Sequence, residues 1–134
     1  MQSDVIINKA TIIERCIKRI HEEYGGNPEN LNNFTKQDSI ILNIQRAVEA
    51  CIDMAMHIVA ENSFGIPQNS RDVFDLLHAN GFITGELNNK LKGMIGFRNI
   101  AVHDYQNINI QIVRKIIEMH LNDIKEYAAF VLKA

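Results

Sequence analysis

The chain has 134 residues, of which 46% are hydrophobic and 22% charged, and its formal net charge at pH 7 is −2. This length and composition exclude an intrinsically disordered chain and favour one globular domain, which we take to span residues 1–134. The weakly negative net charge gives no long-range attraction for a polyanion. Any nucleic-acid site must therefore come from a local concentration of arginine and lysine.

Cysteine usage and the hydropathy pattern indicate the compartment. Cys16 and Cys51 fall in helical apolar patterns, so we expect buried, reduced thiols in a cytoplasmic protein rather than a disulfide. The chain does not begin with a basic segment followed by an apolar run, and the longest uninterrupted apolar stretch is Ala128 to Leu132. We therefore expect neither a signal peptide nor a membrane span.

Two long amphipathic helices are predicted in the first half of the chain, because apolar residues recur there at alternating spacings of three and four. The first helix follows a Ser3 cap and ends at the glycine pair 25–26. The second follows an asparagine-rich loop, begins near Thr35 with Asp38 in its first turn, and runs to about Asn62.

Three further helices are predicted in the second half. A short third helix capped by Ser70 precedes a fourth, which begins at Thr84 and ends close to His103 or Tyr105. A last helix carries a single apolar stripe over residues 110–131. No segment alternates apolar and polar residues as a strand would. The expected fold is therefore all-α, an antiparallel bundle of four to five helices.

The first two helices carry more apolar surface than one stripe. The second stripe comprises Val5, Ile12 and Cys16 on the first helix, and Ile40, Ala47 and Met54 on the second. One stripe is enough for the core of a monomer, whereas a second needs another helix or another subunit to cover it. We therefore expect a homodimer.

One string near the end of the fourth helix combines three groups suited to phosphate chemistry. It reads R-N-I-A-V-H-D-Y from Arg98 to Tyr105, so a permanent cation, an imidazole and a phenol fall within eight residues. On a helix, Asn99 and His103 share a face, and Arg98, rotated about 100° from Asn99, is long enough to reach the same pocket. Tyr105 follows the helix end, where the chain can turn it back over that pocket.

Such a set can cleave RNA without a metal ion or a cofactor. His103 would transfer a proton at the 2′-hydroxyl or the leaving oxygen, while Arg98 would bind the phosphate and stabilise its developing charge. The 2′-hydroxyl is itself the nucleophile, and Asn99 would orient the histidine or donate a hydrogen bond to phosphate. The alternative is structural, because arginine, histidine and tyrosine at a helix end also cap carbonyls and pair with carboxylates.

A second polar constellation lies on the second helix. Glu49, Asp53 and His57 occur at i, i+4 and i+8 on one face, with Arg46 about one turn before them. Three interpretations are open: a solvated face with helical charge pairs, the lining of a dimer cleft, and a divalent-metal site. Metal sites in bundles draw ligands from several helices, and no Glu-x-x-His pair occurs elsewhere in the chain. We therefore predict no metal.

The string at the end of the fourth helix resembles the R-x-x-x-x-H-x-Y motif of the HEPN superfamily and, within it, of the HepT-like toxins. The motif positions fall on Arg98, His103 and Tyr105. The segments 46–61 and 71–77 also resemble the second helix of that family and the short helix after it. The resemblance covers nearly the whole chain.

The resemblance implies a metal-independent endoribonuclease in a HEPN-like bundle, a homodimer whose two motifs face each other across a cleft. It implies catalysis by Arg98 and His103, with Asn99 as the polar residue commonly found after the motif arginine. It also implies a partner, the minimal nucleotidyltransferase antitoxin of a type VII (HepT/MntA) toxin–antitoxin pair, which transfers AMP from ATP to Tyr105. The adenylate would place negative charge beside the catalytic groups and compete with RNA phosphate.

An interpretation from another class remains open: a non-catalytic HEPN-like subunit that binds a nucleotidyltransferase and helps to present its substrate. Long helices with two apolar stripes fit this interpretation as well as they fit a nuclease. Growth arrest on expression of the chain alone distinguishes the two, since an adaptor without activity is harmless to the cell.

Overall fold

The computed structural model describes residues 3–133, so positions 1, 2 and 134 of the predicted domain lie outside it. The α-helices of that range are α1 (Asp4–Tyr24), α2 (Phe34–Glu61), α3 (Ser70–Ala79), α4 (Gly85–His103), α5 (Ile110–Lys115) and α6 (Leu121–Lys133). Short 3₁₀ turns, Pro28–Asn32 and Tyr105–Asn107, precede α2 and α5. No strand occurs within 3–133, and the predicted all-α fold is confirmed. None of the described helices is long and apolar enough to span a membrane.

The predicted ends of α1 and the start of α4 are confirmed by their caps. The Ser3 hydroxyl accepts a hydrogen bond from the backbone N–H of Val5 at 3.0 Å. After the last turn of α1, Gly25 adopts a left-handed φ of 57° and its N–H donates to the carbonyl of His21. At α4, the Thr84 hydroxyl accepts from a backbone N–H of the first turn at 3.1 Å.

Two helices begin at a different cap from the one predicted. Asn33, rather than Thr35, caps α2, and its side chain accepts from a first-turn N–H at 3.0 Å. Asn69, rather than Ser70, caps α3 in the same way, at 2.8 Å. In both cases an asparagine lies one or two positions before the predicted cap. Asparagine is as good a cap as a hydroxyl residue, so the helix begins at the asparagine.

The helix α2 lies at the centre of the bundle and packs against α1, α3, α4 and α6. Both of its apolar stripes are buried, and the second, formed by Ile40, Ala47 and Met54, is 0% exposed. Helices of the same chain therefore cover it. This corrects the reason for predicting a second subunit, because α2 leaves no second stripe to be covered. On α1, by contrast, Val5 of the second stripe is exposed.

The last predicted helix is a continuous helical run with an irregular middle. The helix α5 passes directly into a π-helical segment, Ile116–His120, which passes directly into α6. Ile117 and Leu121 are both buried, so the predicted apolar stripe is maintained through the wider turns. The π-helical segment carries Glu118, whose carboxylate accepts a hydrogen bond from the hydroxyl of Tyr24 and so links the last helix to the end of α1.

Tyr127 of α6 joins three helices in the core. Its hydroxyl donates to the backbone carbonyl of Cys51 on α2 at 3.0 Å. Its ring packs edge-on against Phe74 of α3, with ring centroids 5.8 Å apart. Cys16 and Cys51 are free and buried, as predicted.

Replacement of Tyr127 by phenylalanine should lower the free energy of unfolding by about 1 kcal/mol, because the ring contacts remain while the buried hydrogen bond to Cys51 is lost. Urea denaturation of the parent and the variant measures the difference. Thr35→Val removes an exposed hydroxyl that makes no hydrogen bond within residues 3–133 and serves as the matched control, with an expected change below about 0.5 kcal/mol. Equal changes in the two variants would show that the buried bond does not stabilise the fold.

Candidate functional site

The turn after α4 holds the motif in a defined geometry. The helix ends at His103, and Asp104 closes it by donating its N–H to the carbonyl of Ile100 at 2.8 Å. The Asp104 carboxylate accepts hydrogen bonds from the side-chain amide of Asn107, both at 2.9 Å. These contacts fix the 3₁₀ turn that carries Tyr105.

The side chain of Arg98 points between α2 and α3 and is 20% exposed. Its Nη2 donates to the Ser70 hydroxyl at 3.3 Å. Its Nη1 lies 3.9 Å from the Glu49 carboxylate, which is close enough for an ion pair and too far for a hydrogen bond. Its Nε is buried and has no acceptor in the described part of the chain. The guanidinium therefore keeps donors that an anionic ligand can use.

Arg98 and Asn99 line a pocket of about 430 Å³ together with the beginning of α3. A second guanidinium borders it, that of Arg71, which the sequence did not single out as a site residue. A Cβ atom at Gly96 would lie 3.2 Å from the Arg71 Nη2, so the glycine leaves room for that side chain beside α4. The pocket therefore has arginines on two sides.

Two carboxylates also border this pocket, those of Asp72 and Asp75, and Asp72 accepts a hydrogen bond from the backbone N–H of Gln68 at 2.9 Å. Asp75 accepts hydrogen bonds from the Asn88 side-chain amide and the Lys92 ammonium, both at 2.9 Å. These bonds hold the pKa of Asp75 below its usual range. Because Lys92 offsets this negative charge, Asp75 does not neutralise the arginines of the pocket.

His103 does not share the pocket within one chain. It follows Arg98 by five residues, which on a helix corresponds to a rotation of about 140° and a rise of about 7.5 Å. Its imidazole is exposed, whereas Arg98 faces α2 and α3. Of the side chains expected to converge, Arg98 and Asn99 meet in one pocket, and His103 faces the solvent.

The side chain of Tyr105 is directed toward the beginning of α2 rather than over the pocket of Arg98. Its hydroxyl donates a hydrogen bond to Asp38, a residue 67 positions away in sequence that the motif does not reveal. Asp38 lies three turns before Glu49 on α2, about 16 Å along the helix axis. Partial burial and the Asp38 carboxylate raise the pKa of Tyr105 to about 12, so the phenol is neutral at physiological pH.

The four polar residues singled out on α2, Arg46, Glu49, Asp53 and His57, do not form one cluster. Glu49 contacts Arg98, as described above. Asp53 forms an ion pair with Lys9 of α1, with 3.0 Å between the carboxylate oxygen and Nζ. Of the four, Glu49 is the one that forms an ion pair with the motif arginine.

The other two members have separate surroundings. The Nε2 of His57 is buried and lies 3.3 Å from the Glu61 carboxylate on the same helix, without hydrogen-bond geometry. Arg46 lines a groove between α1 and α2. Among residues 3–133, no three His, Cys, Asp or Glu side chains are grouped so as to hold a metal ion.

The Tyr105 phenol should ionise near pH 12, because burial and Asp38 both favour its neutral form. The folded-state pKa lies above the unfolded value, so this contribution to stability is complete below pH 10 and is lost as the pH rises through 12. Asp38→Asn should lower the pKa of Tyr105 toward 10, although burial keeps it above that value.

Absorbance titration of each chain against its own Tyr105→Phe version isolates this phenol. Asp53→Asn, which removes a carboxylate elsewhere on α2, is the matched control and should leave the Tyr105 titration unchanged. Titration near pH 10 in both the parent and Asp38→Asn would show that the phenol does not bond to Asp38.

Comparison with known proteins identifies the family of the chain. Residues 13–131 match the family described as Ribonuclease HepT-like. The mRNA nuclease HepT of Shewanella oneidensis is 52% identical over 125 residues, 93% of this chain and 94% of that protein. The fold is similar to that of a tri-AMPylated Shewanella oneidensis HEPN toxin in complex with MNT antitoxin, with a TM-score of 0.95 and 49% identity, covering 99% of this chain and 100% of the other. A toxin–antitoxin crystal structure with AMP-PNP gives a TM-score of 0.92 and 49% identity, covering 97% and 99%. The chain belongs to the Ribonuclease HepT-like family.

Proposed function

We propose that this chain is a metal-independent endoribonuclease toxin of a type VII toxin–antitoxin pair, acting as one HEPN-like domain in the cytoplasm. The observation that carries the proposal is the state of Arg98. The guanidinium at the motif position is four-fifths buried, contacts Glu49 only at 3.9 Å, and has an Nε without an acceptor in residues 3–133. Similarity to an mRNA nuclease supports RNA as the source of the phosphate that it binds.

The reaction needs only the groups of the motif and the RNA itself. Arg98 binds the scissile phosphate through its spare donors, with Asn99 in the same pocket, and stabilises the charge that develops on the phosphate oxygens. The 2′-hydroxyl attacks the phosphorus and the bond to the 5′-oxygen breaks. His103 accepts the proton of the 2′-hydroxyl or gives a proton to the leaving oxygen.

We further propose that two copies of the chain form the complete site. Within one chain Arg98 faces inward and His103 faces the solvent, so a second copy against the end of α4 brings further motif groups to the same cleft. Ile100 and Val102, which lie between Arg98 and His103 in the motif, are 42% and 44% exposed and support a subunit contact there. In this arrangement Glu49 lines the cleft as the positioning carboxylate of Arg98.

The proposed regulation of the nuclease is adenylation of Tyr105 by a nucleotidyltransferase antitoxin. The phenol oxygen attacks the α-phosphorus of ATP, pyrophosphate leaves, and the phenol proton is released. Similarity to a tri-AMPylated toxin in complex with its antitoxin supports this partner and this chemistry. The transfer removes the hydrogen bond from Tyr105 to Asp38 and adds a negatively charged phosphodiester at that position.

Arg98→Ala and His103→Ala should each lower the rate of RNA cleavage at least about 100-fold, because one removes the phosphate-binding group and the other the proton-transfer group. Cleavage of a labelled oligoribonucleotide in the presence of EDTA measures the rate and tests metal independence together. Arg114→Ala and His21→Ala, exposed positions outside the motif, are matched controls with an expected change below about twofold.

Circular dichroism of each variant checks that the fold is retained. Cleavage by both motif variants at the parent rate would overturn the nuclease proposal. Lack of cleavage by the parent, combined with binding to a nucleotidyltransferase, would favour the non-catalytic adaptor.

Intact-mass spectrometry tests the proposed adenylation of Tyr105. The chain produced together with the antitoxin and ATP should gain the mass of one or more AMP units, and Tyr105→Phe should gain none while it retains nuclease activity. Tyr24→Phe, which removes a different phenol, is the matched control and should still be modified. An unchanged mass of the parent would contradict adenylation.

A further inference from the structure

A second concave surface lies between α1 and α2, outside the pocket of Arg98. This groove has a volume of about 610 Å³. We call it the arginine groove because Arg15 and Arg19 of α1 and Arg46 of α2 line it. The acidic side chain in its lining is Asp38, which accepts the hydrogen bond from Tyr105. One end of the groove therefore lies next to the motif tyrosine.

The charge of the groove is only weakly compensated. Among the ion pairs of residues 3–133, none involves Arg15 or Arg46. Arg19 lies 3.7 and 3.8 Å from two glutamates on its own helix, and such exposed pairs are weak. On a chain with a net charge of −2, the groove is a local concentration of positive charge.

Arg15 and Arg46 line the same groove although they belong to different helices. Both act on the thiol of Cys16 in the groove: burial raises the pKa of Cys16, and the two guanidinium charges partly oppose that effect. Two helices thus direct cations at one strip of surface. This arrangement differs from cations spread over the outside of a single helix.

The spacing and the chemistry of this strip suit a nucleic-acid strand. Arg15 and Arg19 occupy i and i+4, so their Cβ atoms lie about 6 Å apart, comparable to the separation of successive phosphates in a single strand. Ile12 and Leu42 also line the groove and provide apolar contact for bases between the basic groups. Grooves for single strands combine a basic track for the backbone with surfaces on which bases pack.

We propose that the arginine groove binds the sugar–phosphate backbone of single-stranded RNA on one side of the cleavage site. The choice of RNA as the ligand rests on the proposed nuclease function, whereas binding in the groove does not require cleavage. RNA that leaves the end of α4 passes Tyr105 and Asp38 before it reaches Arg19, Arg15 and Arg46. An adenylate on Tyr105 carries the same phosphate chemistry and would compete for this end of the groove.

Binding can be separated from cleavage in the His103→Ala background. The probe is a short fluorescein-labelled single-stranded oligoribonucleotide, and fluorescence anisotropy over a range of salt concentrations measures the dissociation constant. The double change Arg15→Ala with Arg46→Ala should raise that constant at least about tenfold. It should also reduce the slope of log affinity against log salt by about 1.4, because two phosphate contacts are lost.

Two matched variants show whether the loss of RNA affinity comes from the groove or from net charge. Arg15→Lys with Arg46→Lys should retain most of the affinity, since lysine also binds phosphate as a point charge. Lys18→Ala removes a cation from α1 outside the groove and should change the dissociation constant less than about twofold. Equal weakening by Lys18→Ala and by the double alanine variant would overturn the proposal, because net charge alone would then explain both.

Other outcomes also decide the question. Unchanged affinity and salt slope in the double alanine variant overturn the groove, even if Arg98 and His103 prove essential for cleavage. Groove-dependent RNA binding by a parent chain that does not cleave RNA supports the groove and overturns the nuclease proposal. Loss of binding accompanied by a changed oligomeric state in gel filtration overturns the inference, since the groove would then be a subunit interface.

RNA binding by the chain adenylated on Tyr105 is a last test of the proposal. The adenylated chain should bind the probe as weakly as the double alanine variant, because its adenylate occupies the entrance to the groove. Unchanged RNA binding after adenylation would overturn the path past Tyr105.

Discussion

The packing of α4 along α2 determines where each group of the motif can act. The central helix α2 contacts four other helices, and its buried stripes leave few positions at which polar groups meet the motif. Asp38 near its start and Glu49 in its middle are two of these positions. Because α4 and α2 run antiparallel, Arg98 meets Glu49, and Tyr105, further along the chain, meets Asp38 nearer the start of α2. One helix pair thus holds apart Arg98 and Tyr105, the residues proposed to bind phosphate and to accept AMP.

The surroundings of Arg98 are those of a group prepared for a ligand. A buried guanidinium nitrogen without an acceptor raises the free energy of the isolated chain, because it has lost its water and gained no protein partner. A phosphate that enters the pocket supplies the missing acceptors, and the contacts with Ser70 and Glu49 already hold the side chain in place. In the proposed reaction, little reorganisation of Arg98 is then needed when charge develops on the phosphate.

The sequence predicts the helices well because apolar periodicity acts locally, whereas the exact caps of α2 and α3 are asparagines rather than the hydroxyl residues expected. It does not predict the π-helical segment Ile116–His120, since widening a turn leaves the apolar stripe intact and has no distinct composition. Periodicity also cannot tell whether a second stripe is covered by the same chain or by another. The motif locates Arg98 and Tyr105, but their partners Ser70 and Asp38 lie 28 and 67 residues away, and only the folded helices bring them together.

The distance along α2 between the partners of Arg98 and of Tyr105 affects how such a chain can evolve. A substitution at Asp38 alters the surroundings of the tyrosine and leaves the contacts of the arginine with Ser70 and Glu49 in place. On the proposed function, selection can therefore adjust the surroundings of the tyrosine that accepts AMP without disturbing the contacts that hold Arg98. The proposed modification site can then adapt to a diverging partner while the surroundings of Arg98 stay constant.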